Sequence, residues 1–181
     1  LLGTKGNSMR NRSSERLRFM GQWMKNPRQT ASVTPSSPEL AAAMLAHLPA
    51  DTRRVIELGG GTGALTRALV DHGIAGHDLL VLELNKELEA HLRLQFPGEL
   101  LVHGDAADLP RLAAGCGFLD NGLADAVVSG LGLLAMGREQ ATTILRSAFE
   151  CLRPDGRFIQ FTYGPVSPVS DGVLVPLGLN M

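Results

Sequence analysis

The sequence predicts an α/β fold, a doubly wound and mostly parallel sheet with helices on both faces. From Val55 onward, short apolar runs of strand length alternate with stretches that have the spacing of amphipathic helices. The apolar runs are continuous, which is typical of parallel strands because both of their faces are buried. Sheets of this kind bind ligands at the carboxyl ends of their strands, so we expect the functional residues there.

Three strands and two helices are predicted before residue 105. The strands are short apolar runs, and the helices have apolar side chains at helical spacing. The second helix ends where Pro97 and Gly98 cannot continue it. In chain order these elements are strand 54–58, helix 64–72, strand 79–84, helix 86–96 and strand 100–103.

Two more strands and a long helix follow. The helix has Ile144, Leu145 and Ala148 on one apolar stripe, which is typical of a helix packed on a sheet. Residues 153–156 read Arg-Pro-Asp-Gly, a turn signal predicted to lead out of this helix into the last strand. In chain order these elements are strand 124–129, helix 139–152 and strand 157–163.

Length and composition favour a single globular domain. The chain has 181 residues, of which 44% are hydrophobic and 19% are charged, ordinary values for a soluble protein. It contains no run of 18 apolar residues that could form a transmembrane helix, and its first residues lack a signal-peptide pattern. The two cysteines and five histidines do not have the spacing of a metal site. We therefore expect a cytoplasmic monomer without a metal.

Charge is distributed unevenly along the chain. Residues 1–28 contain seven basic side chains and one acid, although the formal net charge of the whole chain is −1. Leu17, Met20 and Met24 lie at i, i+3 and i+7 within this segment, among two aromatic residues. A basic amphipathic helix of this kind can lie in a membrane interface, or it can cap the core with a solvated basic face. The charge indicates an anionic partner, either a membrane surface or nucleic acid.

The chain therefore divides into two regions. Residues 1–50 precede the strand–helix alternation and contain the basic helix, so we expect them to form an N-terminal helical lid. A further helix in this region is predicted to start near Pro38, because proline is favoured at the first helical position. Residues 51–181 are predicted to form the α/β core.

Residues 59–63, Gly-Gly-Gly-Thr-Gly, form a loop between the first strand and its helix. Glycines let the backbone turn sharply and approach a ligand, and the N-terminus of the following helix favours anionic groups. Gly59, Gly61 and Ala64 satisfy the dinucleotide-binding fingerprint, with Glu83 as the ribose-binding acid. A tight strand-to-helix turn can also require glycines for steric reasons alone.

The same loop resembles motif I of the class I S-adenosylmethionine-dependent methyltransferases, Glu-x-Gly-x-Gly-x-Gly, which begins here at Glu57. Acids also lie at the ends of the next two strands, Glu83 and Asp105. A carboxylate only accepts hydrogen bonds, which suits the ribose hydroxyls at Glu83 and the adenine amino group at Asp105. A simple dehydrogenase has no need for the acid at 105. The pattern therefore favours S-adenosylmethionine, with S-adenosylhomocysteine as product.

Both flanks of the core resemble the bacterial phospholipid N-methyltransferases, which convert phosphatidylethanolamine stepwise to phosphatidylcholine. Residues 34–40 (Thr-Pro-Ser-Ser-Pro-Glu-Leu) and 160–168 (Gln-Phe-Thr-Tyr-Gly-Pro-Val-Ser-Pro) carry this resemblance, which covers roughly residues 10–180. These enzymes are related to the ribosomal RNA adenine dimethyltransferases, which usually have Asn-Leu-Pro-Tyr after strand 4. Residues 129–132 read Ser-Gly-Leu-Gly instead, which argues against RNA.

The ending departs from the family pattern. Class I methyltransferases finish with a hairpin of strands 6 and 7, yet only 18 residues follow Tyr163. We therefore expect these two strands to be missing and the core to be C-terminally truncated.

The resemblance implies methylation of the amine of phosphatidylethanolamine and its methylated intermediates, at the inner face of the cell membrane. Tyr163 is predicted to orient the phospholipid headgroup and Ser129 to hydrogen-bond the amine. An RNA adenine N6-methyltransferase and a non-catalytic lipid- or nucleotide-binding protein are the alternatives. The predicted cofactor-binding residues are Glu57, Gly59, Gly61, Thr62, Gly63, Glu83, Leu84, Asp105, Ala106 and Ser129.

Overall fold

The computed structural model describes residues 38–161. Strands and helices alternate along this range as the sequence predicts, and none of its helices is long and apolar enough to cross a membrane. In chain order the elements are α1 (Pro38–Leu45), β1 (Val55–Leu58), α2 (Ala64–Asp71), β2 (Leu79–Glu83), α3 (Lys86–Gln95), β3 (Leu100–His103), α4 (Leu109–Gly115), β4 (Ala124–Ser129), α5 (Arg138–Glu150) and β5 (Leu152–Gln160).

The five strands described form one parallel sheet in the order β3-β2-β1-β4-β5. The strand order reverses between β1 and β4, and such a switch point opens a crevice at the carboxyl ends of the strands. Leu58 at the end of β1 lies opposite Leu82 on one side and Ser129 on the other. The ends of the central strands are therefore level, so residues that follow them meet at one edge.

Alternate residues of each strand pack into separate cores on the two faces of the sheet. On one face, Ile56 and Leu58 pack with α4 and α5. On the other, Val55 and Val81 pack with α1, α2 and α3. Both cores are built from continuous apolar strands, which confirms the predicted doubly wound α/β fold.

Two predictions of local structure were wrong. Residues 153–156 do not turn the chain out of a helix. They bulge within β5 opposite Asp125, because the strand register jumps from Ala124–Leu152 to Ala126–Arg157. Asp155 takes a positive φ of 64° in the bulge. The strand therefore spans Leu152–Gln160 rather than residues 157–163. The second error is an omission, because the sequence analysis does not predict α4, a short helix with proline in its first turn.

Part of the predicted N-terminal region packs on the core. Ala41, Met44 and Leu45 of α1 are buried in the same hydrophobic cluster as Leu65 and Leu69 of α2. Residues 1–37 lie outside the described residues, so the basic helix and the lid stay predictions. Residues 162–181 also lie outside, and with them the predicted absence of strands 6 and 7.

Candidate functional site at the carboxyl edge of the sheet

The glycine loop follows β1 and is held against the end of β2. The N–H groups of Gly59 and Gly60 donate to the carbonyl oxygen of Leu82 at 2.8 and 3.3 Å. Gly59 and Gly63 have φ values of 81° and 85°, a region that favours glycine because a Cβ is strained there. A Cβ on Gly63 would also lie 2.7 Å from the ring of Phe96. Both positions of the motif therefore require glycine.

Gly60 is as constrained as the glycines of the motif, although the motif leaves its position free. A Cβ there would lie 2.6 Å from Cγ1 of Val81 and 2.7 Å from Cδ1 of Leu92. The loop is thus packed directly onto side chains of β2 and α3. Sequence reasoning did not single out Gly60, because the constraint comes from the packing of α3 and β2.

Glu83 ends β2 and connects the loop to the next segment. Its Oε2 accepts a hydrogen bond from Gly61 N–H at 2.8 Å, and its Oε1 accepts one from Asn85 N–H at 2.8 Å. The side chain is almost fully buried, and no cation pairs with it among the described residues. A carboxylate has about four acceptor positions, so about two remain for the hydroxyl groups of a ligand.

Glu57 lies in β1, below the glycine loop and on the same face of the sheet as Glu83. Its Oε2 accepts a hydrogen bond from Thr66 Oγ1 at 2.7 Å, whereas its Oε1 is buried and has no partner in the described part of the chain. Burial raises the pKa of Glu57 to about 8, and the negative charge of Glu83 adds to this rise although the Thr66 hydrogen bond opposes it. The raised pKa keeps Glu57 mostly protonated at neutral pH, so it can offer a ligand a hydrogen bond but not a full negative charge.

Asp105 follows β3 at the same edge. Its Oδ1 accepts a hydrogen bond from Ala107 N–H at 2.9 Å and so caps a short helical turn that begins at Ala106. Ala106 is buried, whereas Asp105 is partly exposed. The carboxylate is therefore fixed by the backbone and stays accessible to a donor.

The loop after β4 completes the edge. Ser129 is fully buried, and its hydroxyl oxygen accepts from Leu131 N–H at 3.3 Å. Gly130 N–H donates to the carbonyl oxygen of Leu58 at 2.9 Å. The loop is thus attached to the end of β1. Ser129 has a role in shaping this turn, and its predicted hydrogen bond to a substrate amine stays a prediction.

Two predicted residues are exposed, and a third lies outside the described residues. Thr62 is exposed at the tip of the glycine loop. Leu84 is 58% exposed beside Glu83, a large apolar side chain that is available to cover a flat ring. Tyr163 lies outside the described residues, so its role at the headgroup stays a prediction.

These features fit S-adenosylmethionine. The glycine loop turns through positive φ values at Gly59, Gly61 and Gly63, which lets its backbone approach a ligand closely. Glu83 retains acceptor capacity for ribose hydroxyls, and Asp105 offers a fixed carboxylate for an amino group. Glu57 adds a buried acid whose Oε1 has no hydrogen-bond partner among residues 38–161. The fold and these acids define a class I S-adenosylmethionine-dependent methyltransferase.

Comparison with known proteins gives the same class. The methyltransferase domain family matches residues 56–160. The chain is 32% identical to an ornithine lipid N-methyltransferase of Singulisphaera acidiphila, over 81% of this chain and 77% of the relative. It is 37% identical to a ribosomal RNA small subunit methyltransferase A of Thermosynechococcus vestitus, over 56% of this chain but 34% of that protein.

Solved structures show the same fold. The glycopeptide N-methyltransferase MtfA, solved in complex with S-adenosyl-L-methionine, superposes with a TM-score of 0.55 at 21% identity. The match covers 72% of this chain and 56% of that chain, so this chain spans little more than half the length of that structure.

The chain belongs to the methyltransferase domain family. The predicted fold and the predicted cofactor, S-adenosylmethionine, are confirmed, and the dinucleotide-binding alternative is set aside. Prediction of the class succeeded because its signal lies in the loop and in the strand ends.

Proposed function

We propose that this chain methylates the amine of a membrane lipid. The observation that carries the proposal is the similarity to the ornithine lipid N-methyltransferase, which extends over most of both chains. The similarity to the ribosomal RNA enzyme covers only a third of that protein. Residues 129–132 also lack the asparagine and the aromatic residue that the resemblance implies for an RNA enzyme.

The substrate class is a polar lipid with a primary amine. Phosphatidylethanolamine is the lipid that the sequence predicts, and ornithine lipid is the one in the name of the relative. Both present a primary amine near the membrane surface. Such a substrate would bring the enzyme to the inner face of the cell membrane, and the basic segment 1–28 suits an anionic surface.

The described residues supply binding and orientation. The glycine loop, Glu83 and Asp105 would hold the cofactor. When bound, S-adenosylmethionine supplies a sulfonium methyl group, and a new N–CH₃ bond forms as the S–CH₃ bond breaks with its electron pair left on sulfur. The protein mainly holds the reactants in line.

Proton balance sets one further requirement. A primary amine has a pKa of roughly 10, as in lysine, and is mostly protonated at neutral pH. It must lose a proton before its lone pair can attack, and the ammonium product then releases another to water. The loop after β4 and the end of β5 border the place where this amine would lie.

A methyl-transfer assay tests the proposal. Purified chain is incubated with radiolabelled S-adenosylmethionine and phosphatidylglycerol vesicles that contain phosphatidylethanolamine or ornithine lipid, and in parallel with ribosomal RNA. We expect label in at least one lipid and none in RNA. We also expect high salt to lower the rate on vesicles, because it screens basic residues from the surface. Label in RNA alone, or in neither substrate, would contradict the proposal.

Two variants make the assay specific. Glu83→Ala should abolish most of the transfer, because Glu83 holds the cofactor loop. Asp78→Asn changes an exposed acid at the opposite edge of the sheet and should leave transfer unchanged.

A further inference from the structure

Gln160 is the last residue of β5 and lies opposite Ser129 in the sheet. Its Nε2 donates to the carbonyl oxygens of Leu131 at 2.8 Å and Phe161 at 2.5 Å. Its Oε1 is buried and has no hydrogen-bond partner within residues 38–161. The opposite orientation of the amide would place Oε1 against the same two carbonyl oxygens. All three oxygens are acceptors, so no hydrogen bond could form. The network therefore fixes the oxygen as the free end of the side chain.

The Gln160 side chain lies at the carboxyl edge of the sheet, beside the end of β4. Leu131, whose carbonyl Gln160 holds, also contacts the cofactor loop, since a Cβ on Gly59 would lie 2.8 Å from its Cδ2. Gln160 is thus linked through one residue to the loop that would hold the cofactor. Buried acceptors without donors are uncommon in native proteins. An N–H or O–H group of a ligand would satisfy this one.

We infer that Gln160 is a substrate-binding residue whose Oε1 accepts a hydrogen bond from an N–H of the acceptor amine. The inference rests on the proposed lipid-amine substrate. A hydrogen bond in this direction turns one N–H toward β5, which restricts where the nitrogen lone pair points. Gln160 also holds the carbonyl of Leu131, so the same side chain would position both the loop after β4 and the amine.

The number of N–H groups gives this inference a distinctive consequence. A neutral primary amine has two N–H groups, and it has one left after the first methylation, when the ammonium product has lost a proton to water. A neutral dimethylated amine has none. Gln160 can therefore assist the first and second transfers by this bond but not the third.

The experiment compares three lipids in phosphatidylglycerol vesicles: phosphatidylethanolamine, its monomethyl form and its dimethyl form, with ornithine lipid as a parallel primary amine. Gln160→Met removes the acceptor and the donors, whereas Gln160→Glu keeps an acceptor. We expect Gln160→Met to lower kcat/KM about tenfold on the primary amine, the effect of one hydrogen bond, and much less on the dimethyl lipid. Gln160→Glu should retain more activity on the primary amine than Gln160→Met.

Controls separate this role from a structural one. Arg157→Met removes another side-chain bond from β5 to a distant carbonyl, that of His47, and should affect all lipids equally and weakly. Calorimetric affinity for S-adenosylhomocysteine, measured on all three variants, should stay near that of the wild type.

Two results would overturn the inference. Equal losses on all lipids, or a loss in Gln160→Glu as large as in Gln160→Met, would mean that Gln160 only holds the carbonyl of Leu131. If the dimethyl lipid is not a substrate, the comparison of the two variants on the primary amine decides. A wild-type chain that binds S-adenosylhomocysteine but methylates no lipid amine would overturn the proposed function and the inference with it.

Discussion

Acidic side chains lie at both edges of the sheet, but the two edges surround these acids with different partners. At the amino edge, Asp125 accepts from the N–H groups of Arg53 and Arg54 and pairs with Arg153 Nε at 2.6 Å. Arg54 also pairs with Asp78 at 3.3 Å. At the carboxyl edge, Glu57, Glu83 and Asp105 have no cation partner within the described part of the chain.

The pKa values of the two edges differ in direction. Burial raises the pKa of Glu57, and the nearby charge of Glu83 raises it further. Burial also acts to raise the pKa of Asp125, but hydrogen bonds from two backbone N–H groups and the charges of two arginines outweigh it, so the net pKa is lowered. The comparison indicates that the amino edge is built for stability. The acids of the carboxyl edge have no cation partner among the described residues, which leaves them available to a ligand.

The largest expected effect of this difference is on cofactor binding. Glu83→Ala removes the acceptor for the ribose hydroxyls and for Gly61 N–H, and should weaken S-adenosylhomocysteine binding by about 1.5–3 kcal/mol, or roughly 10- to 150-fold. Isothermal titration calorimetry measures this loss. Asp78→Ala at the amino edge is the matched control and should bind as the wild type does. Equal affinity in the two variants would remove the functional distinction between the edges.

The second expected effect is on folding. Asp125→Ala leaves two backbone N–H groups and Arg153 without their shared partner, so the free energy of unfolding should fall by about 1–3 kcal/mol. Urea denaturation measures it. Asp108→Ala removes an exposed pair with Arg111 and should cost only about 0.5 kcal/mol or less. If Asp125→Ala weakened S-adenosylhomocysteine binding more than folding, the amino edge would not be the structural one.

Features that depend on local sequence, such as strand bounds and the residues at strand ends, could be predicted from the sequence. The bounds of β3 and β4 agree with the prediction to the residue. Each is a mainly apolar run that is followed directly by a glycine, Gly104 or Gly130. Glu57, Glu83 and Asp105 could be placed at one edge because they lie at successive strand ends, which meet in any parallel sheet.

The contacts between distant segments could not be predicted in this way. Arg153 reaches Asp125 only because β4 and β5 are neighbours and residues 153–156 bulge between them. Gln160 meets Leu131 for the same reason, although 29 residues separate them in the chain. Polar side chains of this kind have no local pattern, since their partners are set by strand order and register.

The smallest expected effect is a difference in pH dependence, and it tests the comparison most directly. Glu57 keeps its proton in the folded state up to a pKa of about 8, whereas the unfolded chain loses it near 4.5. Between these values the unfolded state binds fewer protons, so Glu57 lowers stability as pH rises. The amide of the Glu57→Gln variant has no such proton to lose. The free energy of unfolding of this variant should therefore rise relative to that of the wild type between pH 5 and pH 8.

Asp125 should show the opposite sign. Its pKa is lowered in the folded state from an ordinary value of 3.8, so its stabilisation is present above that value and is lost as pH falls through the folded pKa. Asp125→Asn should then be less stable than the wild type at pH 5–7, with a deficit that shrinks in acid. Urea unfolding of both variants and the wild type at pH 3–8 gives the two curves. Because one curve rises with pH relative to the wild type and the other falls, a common change in protein stability cannot produce both, and parallel curves would contradict the assignment of the two edges.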